Sequence, residues 1–359
     1  MHFGEPLDDE RLLALLTPDD AIRTVMTADT YGAGDADRML GRAVAGLPRD
    51  GYVLVGAVGH DFYEGERQGA KGFPRFTDPA LRGPDEYASY LRRATEASLE
   101  RCGVDRFDLL LLHNPDRVGY TSEAVWDGMA ALRDAGLTDL IGVAPGPANG
   151  FTLDLIDCFE RFGERIDWAM VILNPLEPWP GELALPAAER HDVKLITRVV
   201  DYGGLFGGDL TAPEGLGPRD HRGFRPAGWI EAGLERIERM RPIAERHGLT
   251  PLQLACQWNL AHAPVRCVAP TLISEPGSAK SIEDKRAELA AVRGPSVLSE
   301  AEVAELRAIG DNRGSMLLKG AAPDFDGEPL PDRWPITADL TELAGRWGIS
   351  PARDLTKAA

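Results

Sequence analysis

The sequence has little positive charge, few cysteines and no long hydrophobic run, and each shortage excludes a class of protein. Its 39 Lys and Arg stand against 57 Asp and Glu, which gives a net charge of −18. That balance argues against nucleic acid or an anionic membrane as a partner, because both require a basic surface. No apolar run reaches the roughly 18 residues of a membrane span, and the N-terminal stretch MHFGEPLDDERLL lacks the basic and apolar regions of a secretion signal.

The cysteines have no short paired spacing, and the four are Cys102, Cys158, Cys256 and Cys267. Neither a disulfide framework nor a zinc knuckle is therefore predicted, and a reduced, cytoplasmic location is expected. The hydrophobic fraction of 43% is typical of a globular protein with a large core. Length and composition thus allow one large domain or two average ones, and the pattern along the chain has to decide.

Strand-like and helix-like segments alternate along most of the chain. The pattern predicts strands at residues 22–27, 52–58, 106–113, 140–143, 168–173, 193–200 and 266–270. Seven or eight β-then-α units, with no Pro/Gly/Ser linker between them, favour a single (β/α)8 TIM barrel over residues 1–310. The alternation stops after Gly310, and residues 311–359 are predicted to form a C-terminal extension that packs on the barrel.

The stretch RFDLLLLHNPD at residues 106–116 is the clearest strand, and it delivers His113 at its end. A short apolar run bounded by charged residues and Pro is typical of a strand that is buried on both faces. In a parallel α/β barrel, the carboxyl ends of the strands form the rim where active sites lie. We therefore favour a functional His113 over a structural one. The loop at residues 60–84 is also long for a βα connection, which is typical of a functional or a disordered segment.

Five stretches, in the same order along some 240 residues, resemble the aldo-keto reductases. They are TADTYGAGDADRMLG from Thr27, FDLLLLHNPD from Phe107, LIGVAPG from Leu140, YGGLFGG from Tyr202 and PIAERHGLTPLQLACQWNLAHAPV from Pro242. The resemblance implies a (β/α)8 barrel that binds NADP(H) and reduces carbonyls by hydride transfer, with a tetrad of Asp, Tyr, Lys and His. It also implies that the N-terminal β-hairpin of the family is absent here, since the first strand would begin at about Met1.

Only half of that tetrad is present in this sequence. The resemblance places the family's Tyr at Tyr31 and its His at His113, but its Asp at Met26 and its Lys at Ala57. A phenol has an ordinary pKa near 10, and a buried Lys held by an Asp favours its ionised form. Because both charges are lost together, no single buried charge is left unpaired. The substitutions therefore suggest redirected chemistry on an intact fold.

The cofactor positions show the same loss. The family's Ser-Asn and Gln, which hold the nicotinamide, correspond to Ala144, Pro145 and Met170, and proline lacks even a backbone N–H. At the adenine end, Lys280, Ser281 and Arg286 have the spacing of the family's phosphate-binding residues, and a solvated helix start explains them equally well. Asn174, at the end of the fifth predicted strand, is a further candidate for cofactor binding. NADP(H) thus remains an open prediction.

Other polar residues are predicted at the same rim. Arg198 closes a strand where the family has a neutral residue, so that its guanidinium is suited to binding a carboxylate or stabilising an enolate. The alternative is that Arg198 forms an ion pair with Asp29 or Asp201. Asp29 and His60 complete the catalytic candidates, after Tyr31, His113 and Arg198. A metal held by His60, Asp61 and His113 is disfavoured because the spacing fits no motif, and no metal is predicted.

Three functions remain open at this point, each with a small molecule as the partner and with the oligomeric state undetermined. The first is an enzyme of the reductase fold that carries out non-redox proton transfer, of the lyase or isomerase type, on a carbonyl or sugar-like substrate, with Tyr31 and His113 as acid and base. The second is a divergent NADP(H)-dependent carbonyl or aldose oxidoreductase. The third is a non-catalytic binding protein. The joint retention of Tyr31 and His113 argues against the third, and the altered cofactor positions argue against the second.

Overall fold

The computed structural model of the protein describes residues 3–69, 72–212, 216 and 220–358. In this part of the chain, seven parallel strands form one sheet in the order of the sequence, β1 to β7. They are β1 Thr24–Met26, β2 Val53–Val58, β3 Phe107–His113, β4 Thr138–Ala144, β5 Trp168–Ile172, β6 Lys194–Arg198 and β7 Val265–Ala269. A short parallel pair, β8 Gly320–Ala321 and β9 Arg333–Trp334, lies in the C-terminal extension.

Helices lie between successive strands from β1 onward, as a barrel of βα units requires. The α-helices of the described residues are α1 Asp9–Leu16, α2 Asp35–Val44, α3 Tyr87–Cys102, α4 Arg117–Thr121, α5 Glu123–Asp134, α6 Thr152–Phe162, α7 Leu185–Arg190, α8 Trp229–Arg246, α9 Pro251–Leu260, α10 Ile282–Ala290, α11 Glu300–Ile309, α12 Ala338–Arg346 and α13 Pro351–Asp354. The predicted fold class, a barrel of alternating strands and helices, is confirmed.

Strand β3 lies between β2 and β4 and is buried along nearly its whole length. Its residues Leu110, Leu111 and Leu112 are fully buried, because the strand faces the barrel interior on one side and the helical layer on the other. In the register with β4, His113 lies opposite Ala144. The apolar run therefore fixes the position of His113 at the carboxyl edge of the sheet.

The segment that precedes β1 forms a helix where the family's barrel begins with strands. Helix α1 is held against α10 by an ion pair between Arg11 and Glu283, with a distance of 2.9 Å between the charged atoms. Arg286 of α10 also donates hydrogen bonds to the carbonyls of Leu15 and Thr17, at 3.0 and 2.9 Å. Among residues 3–23 there is no strand, so the sheet has β1 and β7 as its edges in the described part of the chain.

The barrel interior is filled by a small apolar cluster that is separate from the large core beneath the helices. Its buried members come from five strands and the residues that follow them, and they are Ala28, Val55, Ala57, Leu109, Leu111, Ala144 and Ile196. Met26 and Met170 pack against this cluster and remain partly accessible. The floor beneath the carboxyl ends of β1, β2 and β5 is therefore apolar.

Two segments outside the regular βα units pack at the carboxyl edge. In the loop of residues 60–84, Arg75 pairs with His60 as an antiparallel bridge, and Thr77 donates a 2.7 Å hydrogen bond to Asp116. In the C-terminal extension, Lys319 pairs its backbone with the segment after β4, and Trp334 donates a 2.9 Å hydrogen bond to Asp154 of α6. Both segments thus fold back on the barrel.

The described part of the chain contains no helix that is long and apolar enough to cross a membrane. All four cysteines are free, and Cys102, Cys158 and Cys256 are buried.

Substituting Gly59 with Ala should destabilise the fold at the catalytic edge. A Cβ at this position would lie 2.4 Å from the carbonyl oxygen of His113, so the backbone of one strand would have to move. We expect a loss of about 1–3 kcal/mol in the free energy of unfolding, as for overpacking elsewhere, measured by urea denaturation. Gly51→Ala is the control, since a Cβ there meets nothing within 4 Å. Equal stability of the two variants would contradict the prediction.

Candidate active site

Tyr31 and His113 meet at the carboxyl ends of β1 and β3. The centroids of their rings are 5.5 Å apart and the ring planes are inclined by 88°, which is an edge-to-face contact. Tyr31 lies in the turn after β1 and is 49% exposed, whereas His113 is 7% exposed. The structure therefore brings together the two residues that the sequence singled out, with the phenol on the solvent side of the imidazole.

The surroundings keep both groups uncharged. Burial lowers the pKa of His113 well below its ordinary range, and the charges of Arg75 and Arg198, with that of His60 whenever this ring is protonated, lower that pKa further. Burial raises the pKa of Tyr31 above its ordinary value, and Arg198 opposes that rise. At neutral pH the site thus holds a neutral imidazole, which can accept a proton, beside a protonated phenol, which can donate one. Nδ1 of His113 is buried and has no hydrogen-bond partner among the described residues.

His60 follows β2 and contacts His113, with ring centroids 5.3 Å apart. Its Nδ1 lies 2.8 Å from the carbonyl oxygen of Phe73, which can only accept, so this nitrogen carries the proton. Its Nε2 then accepts from the side-chain amide of Asn114 at 3.0 Å. Both nitrogens of His60 are engaged, and the residue packs against the base as a neutral side chain.

Acid should destabilise the protein through His60. Burial and the charge of Arg75 lower the pKa of this residue from 6.5 to about 4. The unfolded chain therefore binds the proton more readily, and the stability that the neutral ring contributes is present above pH 6.5 and is lost as the pH falls toward 4. We expect this group to remove about 2 kcal/mol of unfolding free energy between pH 7 and pH 5.

Urea denaturation of the wild type and of His60→Asn at pH 7 and pH 5 measures the contribution of His60 to this loss of unfolding free energy. The variant should lose less stability on acidification than the wild type does, while His113 retains its own contribution in the same direction. An identical pH dependence in the two proteins would contradict the assignment to His60.

Arg198 ends β6 and directs its guanidinium across the edge toward β4. Its Nη2 donates to the carbonyl oxygen of Pro145 at 3.3 Å and also to that of Gly146. Nε is buried without a partner among the described residues, and no ion pair joins Arg198 to Asp29 or Asp201. The guanidinium therefore lies beside Ala144 and Pro145, the positions that the resemblance assigns to the nicotinamide.

Asp29 is fully buried, but it faces a different environment from the Tyr31–His113 pair. The charges that act on it are chiefly those of Asp37 on α2 and Arg101 on α3. Burial, and secondarily Asp37, raises the pKa of Asp29 well above its ordinary value, and both carboxyl oxygens lack hydrogen-bond partners among the described residues. The described contacts thus do not join Asp29 to His113 or Arg198.

The four candidates for cofactor binding are all engaged within the chain. Lys280 pairs with Glu288 at 2.5 Å, and Ser281 caps α10 by accepting from the backbone N–H of Asp284 at 3.0 Å. Arg286 pairs with Asp19 at 2.7 Å. The amide of Asn174, which is fully buried, donates to the carbonyl oxygen of Val199 at 3.0 Å. The contacts of Lys280, Ser281 and Arg286 agree with the other explanation of these three residues, in which they lie at the start of a helix.

Arg75 is the residue at this edge that the sequence did not single out. It lies in the long loop, and its Nε donates to the carbonyl oxygen of Asn114, the residue after His113. Its Nη1 is 3.3 Å from Nδ1 of His60, which already donates to Phe73 and cannot accept. The only signal in the sequence was the length of the loop, because nothing marks which of its residues returns to the mouth.

Backbone strain accompanies the two central side chains. Asn114 and Val199, which directly follow His113 and Arg198, have positive φ angles of 48° and 57°. A β-branched residue in the left-handed region is an outlier, at a cost of about 1–3 kcal/mol. Strain of this kind is typical of functional sites, and here it lies at the two strand ends that carry the imidazole and the guanidinium.

Comparison with known proteins fits this architecture. The model of the Aldo/keto reductase family matches residues 4–311. The chain belongs to the aldo/keto reductase family. It is 27% identical over 319 residues to a D-threo-aldose 1-dehydrogenase of a Pseudomonas species, which covers 84% of this chain and 89% of that protein. The predicted family is thereby confirmed, and the chain is an enzyme of this superfamily.

Solved structures of the family show the same fold. The glycerol dehydrogenase of Gluconobacter oxydans superimposes with a TM-score of 0.65 at 21% identity, covering 90% of this chain and 91% of that chain. An aldo/keto reductase of Klebsiella pneumoniae, solved in complex with NADP and acetate, gives a TM-score of 0.55 at 22% identity over 84% of this chain and 86% of that chain. NADP is thus a ligand of a protein that shares this fold.

The residues present here do not fit a nicotinamide held in the family's manner. Ala144, Pro145 and Met170 offer no side-chain hydrogen-bond donor, and the guanidinium of Arg198 is bonded to the carbonyls that follow Ala144. The described residues also contain no group of three or more His, Cys, Asp or Glu that is arranged to hold a metal ion.

Proposed function

We propose that this member of the family catalyses non-redox proton transfer, of the isomerase or lyase type, on a carbonyl or sugar-like small molecule. In this proposal Met26 and Ala57 replace the Asp and Lys of the family's tetrad, and Tyr31 and His113 are the catalytic acid and base. The observation that carries the proposal is the uncharged pair itself: a protonated phenol in edge contact with a neutral imidazole, 5.5 Å between ring centroids.

The reaction requires no electron carrier. The imidazole of His113 removes a proton from the carbon next to the carbonyl group, and the phenol of Tyr31 donates a proton to the carbonyl oxygen, so that an enediol forms. When His113 returns its proton to the neighbouring carbon and the second hydroxyl of the enediol gives its proton back to Tyr31, an isomer forms. When a β-hydroxyl leaves as water with the proton held by His113, and the enediol hydroxyl reprotonates Tyr31, a lyase product forms. Arg198 supplies positive charge beside the developing oxyanion.

The apolar floor supports this assignment. Ala57 belongs to the apolar cluster of the barrel interior and Met26 and Met170 pack against it, and among the described residues this cluster includes no lysine that would ionise Tyr31. A phenol that keeps its proton is a better donor to a carbonyl oxygen than a phenolate, which has none to give. Arg198 donates hydrogen bonds to the carbonyl oxygens of Pro145 and Gly146, and its guanidinium at this place further disfavours a bound nicotinamide.

Proton exchange with solvent tests the proposal directly. The purified protein is incubated in D2O with aldoses, ketoses and 2-keto sugar acids, without any cofactor, and the C–H signal next to each carbonyl is followed by NMR. We expect loss of that signal for at least one substrate, at a rate that His113→Gln abolishes. The absence of exchange across the panel, or exchange that His113→Gln leaves unchanged, would overturn the proposal.

A second candidate is a divergent NADP(H)-dependent carbonyl or aldose oxidoreductase. The retained contact between Tyr31 and His113 favours it, because the resemblance assigns both residues to carbonyl reduction, and one relative is named as an aldose dehydrogenase. Calorimetric titration with NADPH, with NADH as the control, separates the two candidates. Tight, NADPH-selective binding would favour the oxidoreductase, and no binding at millimolar NADPH would exclude hydride transfer from this cofactor.

A further inference from the structure

Two arginines at the mouth lack the acidic partners that buried arginines elsewhere in this chain possess. Arg82 pairs with Asp61, and Arg222 pairs with Glu275. In contrast, Arg75 and Arg198 form no ion pair with the described residues, and the contacts of their guanidinium groups are to backbone carbonyls and to a histidine nitrogen. In a chain with 57 acidic and 39 basic side chains, carboxylates are abundant, so the lack of a partner at these two positions stands out.

Both arginines bind backbone carbonyls at the catalytic edge, Arg75 that of Asn114 and Arg198 those of Pro145 and Gly146. Their charges act on His113, and that of Arg198 also acts on Tyr31. The carboxylates that act on them, Asp116 and Asp332 on Arg75 and Glu177 on Arg198, form no ion pair with them, so the cost of desolvating each cation is offset only in part. An anionic ligand that enters the mouth would offset that cost, and the two positive charges would attract it against the strongly negative charge of the rest of the protein.

The free edge of Arg198 limits the kind of anion. Its Nη2 is bound to two carbonyl oxygens, and Nε is buried and directs its N–H away from Nη1, whereas Nη1 forms no hydrogen bond with the described residues. Nη1 is therefore the donor that can bind one oxygen of an incoming carboxylate. The carbonyl oxygens of Pro145 and Gly146 beside the guanidinium would repel the greater charge of a phosphate group more strongly than that of a carboxylate.

We propose that the substrate of this site carries a carboxylate next to its carbonyl group, as in a 2-keto sugar acid, and that Arg198 binds this carboxylate while Arg75 adds positive charge from the loop. This inference deepens the proposed function and rests on it for the reacting carbon. The carboxylate on Arg198 would direct the carbonyl oxygen to Tyr31 and the adjacent C–H bond to His113. The chain thereby selects sugar acids over the neutral sugars of the same carbon skeleton.

Binding of a matched pair of ligands tests the proposal without turnover. The probes are 2-keto-D-gluconate and D-fructose, which differ in a carboxylate against a hydroxymethyl group at C1, and they are titrated calorimetrically into the whole protein. We expect the acid to bind at least 10-fold more tightly. Arg198→Met should weaken the binding of the acid by about 10- to 100-fold, the range for a hydrogen bond to a charged group. The affinity for D-fructose should stay unchanged.

The control variant is Arg266→Met, which removes an exposed arginine from β7 and should alter neither affinity. Equal affinities for the two probes, or an Arg198→Met variant that binds the acid as the wild type does, would overturn the proposal. If fructose 6-phosphate or inorganic phosphate bound more tightly than 2-keto-D-gluconate, the group that the site recognises would be a phosphoryl group and not a carboxylate. That result would also overturn the proposal.

The two proposals fail separately. Exchange of D-fructose protons without any preference for the acid would refute the carboxylate site and leave proton transfer intact. Arg198-dependent binding of the acid without proton exchange would refute the proposed reaction and leave the anion site intact.

Discussion

Tyr31→Phe should reduce the rate of proton exchange by about 10²- to 10⁴-fold, the range for a positioned acid or base. The substitution removes only the hydroxyl group that donates to the carbonyl oxygen, and the ring contact with His113 remains. Because Tyr31 is 49% exposed, loss of its hydroxyl should leave the thermal midpoint of unfolding almost unchanged. NMR exchange rates with the best substrate of the panel, together with a melting curve, measure both quantities.

Tyr63→Phe is the matched control for this substitution. Tyr63 is 41% exposed, and its hydroxyl bonds to Arg101 and not to the catalytic pair. We expect its exchange rate to stay within a few-fold of the wild-type rate. If Tyr31→Phe behaved in the same way as Tyr63→Phe, Tyr31 would not be the acid, and another donor at the mouth would have to be sought.

Arg82→Met should lower the unfolding free energy by about 3–5 kcal/mol, the range for breaking a buried ion pair from one side. Arg82 pairs with Asp61, which is fully buried, and it also donates to the carbonyl oxygen of Phe76 at 2.7 Å. Removing the guanidinium leaves the carboxylate of Asp61 buried without its cation. Since these contacts join the two ends of the loop of residues 60–84, we also expect faster proteolysis within that loop.

Arg92→Met provides the comparison for Arg82→Met. Arg92 forms an exposed pair with Glu96 one helical turn away, at 2.8 Å, and such pairs contribute at most about 1 kcal/mol. Urea denaturation of both variants gives the difference. A loss below 1 kcal/mol for Arg82→Met would mean that Asp61 finds another partner or takes up a proton at little cost.

The sequence was sufficient to predict the repeating units of the barrel, because hydrophobic pattern is a local property. The predicted strand at residues 106–113 matches β3 Phe107–His113, and the predicted strand at residues 52–58 matches β2 Val53–Val58. Short elements such as α4 Arg117–Thr121 and α7 Leu185–Arg190 were not predicted, since four to six residues carry too little periodicity to stand out from a loop.

The candidate site was also predicted only in part. Tyr31 and His113 are found from sequence because His113 ends a strand and Tyr31 lies in the turn after one, and the carboxyl ends of parallel strands meet at one edge. Their charge states come from burial and from Arg75 and Arg198, which only the folded chain brings near. The sequence placed Asp29 at the same rim, whereas the charges that act on it belong to helices α2 and α3.

The sequence by itself determined the family and the alternation of strands and helices, because identity and spacing are read directly along the chain; the loss of the family's Asp and Lys at Met26 and Ala57 stays a prediction from the resemblance. Only the tertiary structure decided which cations remain unpaired. Arg286 finds a carboxylate on Asp19, 267 positions away, and Lys280 finds one on Glu288 of the helix that follows it, while Arg198 finds none among the described residues. The reason is physical: an ion pair depends on a distance of a few ångströms between residues that can be hundreds of positions apart, and no local pattern encodes that distance.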